Sequence, residues 1–188
     1  MEGVIEASTK VRADFGHVQE RLLTEPEAIV GDRYIPTGRC GEVRATVAVE
    51  VTTSPGRHEE VLVELLVELL AVRSSHAKVA VPLSWTAVGW SRLFPTFAGM
   101  LESNRSEPGS QLRLRGTYSL ALSPLGRFGQ GVAGRRLARQ AGSAFLEHAA
   151  RRIDGEDLSR PDLAPWHPAA HTVTLAELLA AKERIRRQ

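Results

Sequence analysis

Alternation of apolar and polar positions sets out most of this chain. Residues 4–12 place Ile5, Ala7, Thr9 and Val11 on one side and Glu6, Ser8, Lys10 and Arg12 on the other, the period-two pattern of a half-buried strand. Asp14 is placed to cap a following helix, in which Phe15, Val18 and Leu22 recur at helical spacing. Pro26 opens a second short helical or irregular piece through Ile29, and 31–41, with Pro36 and Gly38, reads as loop. The next strand is the most regular: Val43, Ala45, Val47, Val49 and Val51 face one way, Arg44, Thr46 and Glu50 the other. Ser54-Pro55-Gly56 marks a turn. Residues 60–72 fit two patterns, because Leu65, Leu66, Leu69 and Leu70 with Glu64 and Glu68 also suit a helix. Val61, Val63, Leu65 and Val67 alternate between flanking turns, so the segment is assigned as strand. Over 78–88, Val79, Val81, Leu83 and Trp85 share a face, and Pro82 is expected at an edge or a bulge, since it cannot donate to a ladder. A shorter strand follows over 97–103, then a turn at Glu107-Pro108-Gly109. In the last strand, 111–122, Leu112, Leu114, Gly116, Tyr118 and Leu120 oppose Arg113, Arg115, Thr117 and Ser119.

After Pro124-Leu125-Gly126 the period changes. Phe128, Val132, Leu137, Ala138, Ala141, Phe145, Leu146, Ala149 and Ile153 form a wide apolar stripe at helical spacing, with no proline before Pro161. Gly129, Gly131, Gly134 and Gly142 each weaken such a helix by about 1 kcal/mol relative to alanine, so docking must hold it. Asp154-Gly155 ends it. Residues 1–153 are accordingly read as one α+β domain, a curved sheet gripping one long helix with a hollow between them. Residues 154–188 are read as an appendage, a proline-rich linker and a last helix announced by the Thr174 and Glu177 capping box.

Composition changes this picture little. At 188 residues the chain is long enough to bury a real core, and a formal charge of +2 is too small to point to nucleic acid despite a pI near 9.0. One cysteine, Cys40, cannot form an internal disulfide. The start, MEGVIEASTK, lacks the basic opening and apolar run of a signal peptide. The longest apolar stretch, near 61–72, carries Glu64 and Glu68 and is too short to span a membrane. The expectation is a soluble, cytoplasmic protein.

The stretch VAVPLSWTAVG followed by LFPTFAGMLE resembles the VPLRW-x-A-x-G and LFP-x-x-x-G-x-L-E segments of a group of small actinobacterial-type proteins. LRLRGTYSLALSPLGR resembles their L-x-G-x-Y-x-x-P-L-G turn into a final helix, with Ser123-Pro124 in place of the usual proline pair, and RRLARQAGSAFLEHAARRI resembles the end of that helix. Most of the specificity lies in 77–153. The group belongs to the START-like superfamily, also called SRPBCC, with polyketide cyclases and dehydrases among its members. The resemblance implies a helix-grip fold, a curved antiparallel sheet of six to seven strands wrapped around a long C-terminal helix. It also implies an open cavity for apolar or amphipathic molecules, as in lipid carriers, hormone receptors and polyketide aromatase/cyclases. Fold alone does not select among these.

The inward faces carry no Asp, Glu, His, Lys or Arg, so a hydrophobic ligand such as a lipid or polyketide is the expected partner, with no cofactor, metal or catalytic residue. The candidate lining is Val47, Val63, Leu83, Trp85, Phe97, Met100, Leu114 and Tyr118, with Trp90 and Phe94 near an entrance. Gly99 and Gly116 are expected to leave room opposite the helix. Tyr118 or Trp85 would supply a polar handle, and Tyr34, Ser84 and Thr86 are further candidates to orient a ligand oxygen. An aromatase/cyclase-type enzyme is the alternative, and it needs an ionisable group facing inward. Of the six histidines only His167 and His171 stand four apart, where Pro165 and Pro168 spoil a helical pair, and no phosphate-binding or nucleophile-elbow motif is present. Cys40, beside Arg39, is a loop thiol or a reactive one. The final helix carries Arg127, Arg135, Arg136, Arg139, Arg151 and Arg152 against Glu147 alone. This is a solvated face, or a patch at Arg135, Arg136 and Arg139 for an acidic partner or an anionic surface.

Overall fold

In the computed structural model, residues 2–31, 33–34, 41–54, 57–88, 94–119 and 132–155 are described. Strand β1 (Glu2–Val11) leads into helices α1 (Phe15–Thr24) and α2 (Pro26–Val30). Strands β2 (Arg33–Tyr34), β3 (Glu42–Ser54), β4 (Arg57–Leu69), β5 (Arg73–Ser74), β6 (Lys78–Ala87), β7 (Thr96–Arg105) and β8 (Ser110–Ser119) come next, and helix α3 (Val132–Ile153) follows. All strands join one antiparallel sheet in the order β1-β8-β7-β6-β4-β3-β2, with β5 paired to β6. This is the α+β helix-grip arrangement. The two-residue strands β2 and β5 are additions to the expected set, too short for alternation to announce.

Pairing settles the ambiguous segment as strand up to Leu69, with 70–72 beyond its end. β4 runs beside β3 along its whole length, and Val63, Leu65, Val67 and Leu69 are buried while Glu68 and Leu70 are exposed. Pro82 departs from expectation, since β6 lies inside the sheet between β4 and β7. Its carbonyl accepts from Leu70 N at 2.9 Å, where β4 ends its pairing with β6 and before β5 takes over at Ala80. In an antiparallel strand a residue's N–H and C=O point to the same side. The missing donor of Pro82 therefore falls in the changeover between two partners.

Local signals explain the elements around the sheet. The Asp14 carboxylate accepts from His17 N at 3.0 Å and caps α1, whose buried face is Phe15, Val18 and Leu22. Gly109 has φ +87° in the β7–β8 turn, and a Cβ there would collide with the carbonyl of Val11, so glycine is required twice over. Helix α1 packs on β6 and β7, and α2 sits between α3 and β3. Helix α3 lies on β1, β8 and β3, burying Ala138, Ala141, Phe145, Leu146, Ala149 and Ile153. At Gly142 it comes close to the sheet: a Cβ there would stand 2.9 Å from Ile5 Cγ2 and 3.5 Å from Leu114 Cδ2. The glycine that weakens the helix in isolation is the one that lets it dock.

Asp154 fastens the far end of α3. Its carboxylate accepts from the backbone N–H of Arg12 at 3.0 Å and of Ala13 at 3.1 Å, so the first residue of the expected appendage closes the corner between β1 and α1. The rest of that appendage, from 156 onward, lies outside the described residues. Asp154→Ala should leave two amides without their acceptor and lower the unfolding free energy by about 1–3 kcal/mol. Urea denaturation measures this, and an unchanged midpoint would mean that water replaces the carboxylate at no cost.

Candidate functional site

Register defines the inner face of the sheet row by row. Val67, Trp85, Phe97, Tyr118 and Gly3 stand side by side across β4, β6, β7, β8 and β1. The next rows are Leu69, Leu83, Gly99, Gly116 and Ile5, then Val81, Leu101, Leu114 and Ala7, then Val79, Ser103, Leu112 and Thr9. Among these described positions none is Asp, Glu, His, Lys or Arg. Val47 and Val63 are register partners on the same face, on the arm where β3 and β4 run on past the end of β6.

Seven of the eight expected lining residues are therefore buried on this face: Val47, Val63, Leu83, Trp85, Phe97, Leu114 and Tyr118. Met100 is not. It pairs with Pro82 and Arg115, is 37% exposed and looks out from the opposite face. The run from Phe97 to Leu101 is apolar on both sides, so alternation alone could not choose a face. Ser84 and Thr86 lie at the same outward parity, half-buried and exposed, and cannot meet an occupant of the interior. Phe94 is buried. Trp90 and Cys40 lie outside the described residues, as does the side chain of Tyr34.

Gly99 and Gly116 play a different part from the one expected. They are partners in register, and a Cβ on either would meet the other's Cα at 2.6 Å and Phe97 Cζ at 2.6 Å. The ring of Phe97 lies across both, so the missing side chains make space for an aromatic of the protein itself. Phe97 then stacks on Trp85 with centroids 4.1 Å apart and planes 18° apart, and Trp85 meets Phe145 of α3 at 4.9 Å and 36°. Phe145 is the member of this group that the strand-based lining omitted. Its signal was its place in the apolar stripe of the last helix.

Polar atoms are few here. Trp85 is 1% exposed, and its indole N–H meets no acceptor among the described residues. Buried tryptophan N–H groups ordinarily find a partner, and an unmet buried donor costs about 1–3 kcal/mol. The Ser103 hydroxyl is also buried and unmet, three rows away. Tyr118 turns toward the sheet edge, since a Cβ on Gly3 would stand 2.6 Å from its hydroxyl oxygen. Of the two expected handles, Trp85 is the one with a buried polar atom that meets no partner among the described residues. Among the described residues no group of three His, Cys, Asp or Glu side chains is placed to hold a metal ion, and no helix is long and apolar enough to cross a membrane.

Arg135, Arg136 and Arg139 are exposed on α3. No protein-family model matches the chain, and no curated protein is similar to it. Solved structures are similar in chain course. The protein TTHA0849 from Thermus thermophilus is 14% identical, with 80% of this chain and 97% of that one covered and a TM-score of 0.47. Ara h 8.0201 is 10% identical, with 83% and 100% covered and a TM-score of 0.45. Protein Ms6760 from Mycobacterium smegmatis is 11% identical, with 86% and 93% covered and a TM-score of 0.42.

Proposed function

We propose that this is a cytoplasmic START-like protein that binds a hydrophobic or amphipathic small molecule, lipid- or polyketide-like, between sheet and helix. The observation that carries the reading is the inner face itself, four successive rows without an Asp, Glu, His, Lys or Arg among the described residues, covered by α3 with α1 and α2 beside it. Shape and desolvation then select the ligand, since apolar burial contributes about 25 cal/mol per Å² and needs no directed group. The aromatase/cyclase alternative requires a general acid or base in the interior. The four rows offer no carboxylate, imidazole or amine for that part and only the phenol of Tyr118, which favours binding without chemistry.

Native mass spectrometry of protein purified without refolding is the direct test. A co-purifying apolar molecule, or saturable binding of an environment-sensitive apolar dye, is the expected result. Bare protein that binds no such dye would overturn the reading. A second reading, contact with an acidic partner or an anionic lipid surface, is favoured by the exposure of Arg135, Arg136 and Arg139 along one helix. It predicts salt-sensitive association with anionic vesicles, whereas cavity binding of a neutral dye is insensitive to salt.

A further inference from the structure

We propose that the indole N–H of Trp85 is the hydrogen-bond donor of the binding site, and that the site takes neutral apolar molecules bearing an acceptor oxygen, such as a ketone, ester or ether. This rests on the ligand-binding reading above and narrows its substrate class. Trp85 is 1% exposed, its N–H is unmet among the described residues, and its ring is packed between Phe97 and Phe145.

An orphaned buried donor in a native interior calls for an occupant, and there are two kinds. A buried water makes two to four hydrogen bonds, so it needs several polar neighbours. The register neighbours Val67 and Phe97 and the ring neighbour Phe145 offer none, and the Tyr118 hydroxyl lies over Gly3 toward the sheet edge. A water here would exchange its bulk partners for one. A molecule with one acceptor atom on an apolar body loses little by entering and satisfies the indole.

The chemistry of the donor narrows the class further. Indole N–H donates and cannot accept, so the meeting atom is an acceptor. It carries no charge, and no cationic side chain stands on the inward rows of the sheet among the described residues, so a carboxylate or phosphate beside the indole would gain no counter-ion from the sheet. That leaves carbonyl and ether oxygens of neutral molecules. A hydrocarbon of the same shape would enter but leave the N–H unmet.

The test uses the full chain and a matched pair of probes, 2-acetylnaphthalene and 2-isopropenylnaphthalene, which differ in a carbonyl oxygen against a methylene. The wild-type protein should bind the ketone about tenfold more tightly than the alkene. Trp85→Phe keeps an aromatic ring beside Phe97 but removes the donor, and should bring the two affinities within about twofold, chiefly by weakening the ketone. In the wild-type protein the Trp85 indole proton resonance should move downfield with the ketone and not with the alkene, a readout that stands even where Trp85→Phe fails to fold. Equal wild-type affinities, or an indole shift common to both probes, would overturn the donor role while leaving apolar binding intact. Binding of neither probe would overturn both.

Discussion

Leu114→Arg is expected to abolish apolar binding and to destabilise the protein by about 3–5 kcal/mol. Leu114 is fully buried in the middle of β8, flanked in register by Leu101 and Ala7, and its Cδ2 lies beneath Gly142 of α3. An arginine there would enter a fully buried position, and its charge finds no carboxylate on the inward rows among the described residues. Desolvating an unpaired charge costs several kcal/mol, and total stability for a domain of this kind is only about 5–15 kcal/mol. The comparison variant is Arg136→Gln with Arg139→Gln, both exposed on α3. It should shift stability by less than about 1 kcal/mol and leave dye binding unchanged. Thermal melts and dye titrations run side by side decide the matter. Binding that is lost with the arginines and kept with Leu114→Arg would move the function from the interior to the helix surface.

The second large effect is expected at Phe145. Its side chain is fully buried and its ring sits 4.9 Å from Trp85, bringing the helix into the aromatic group on the sheet. Truncation to alanine removes a large apolar surface and leaves a cavity that a sheet braced by neighbouring strands cannot collapse to fill. The expected cost is about 3–5 kcal/mol. Because the new space borders Trp85, the variant should also accept a bulkier apolar dye than the wild-type protein does, and the emission of Trp85 should change on binding. A loss below about 1 kcal/mol would place the Phe145 ring at the surface and detach the helix from the site.

Much of this architecture was legible in the chain because strands that bury one face must alternate. Val43, Val47 and Val49 on β3, Val79 to Trp85 on β6 and Leu112 to Tyr118 on β8 keep that alternation, and each set is buried together. The Asp14 cap, the turn at Gly109 and the helical stripe through Phe145 and Ile153 are equally local, each set by a few neighbouring residues. These features settled the order of elements, the fold class and the apolar character of the interior.

Everything that depends on which distant residues become neighbours waited for the tertiary structure. Met100 and Leu101 are both apolar, and only pairing with β6 and β8 turned the first outward and the second inward. Gly99 and Gly116 become partners through that same register, and the room they make is taken by Phe97. Pro82 is tolerated inside the sheet because β4 ends beside it, and Asp154 matters because it reaches residues at the far end of the first strand. The unmet N–H of Trp85 is the extreme case: an indole is a satisfied or an orphaned donor according to what surrounds it in space. Periodicity is a property of adjacent residues and can be read from them. Register, close approach and hydrogen-bond satisfaction are sums over long-range contacts, and only the folded chain assembles them.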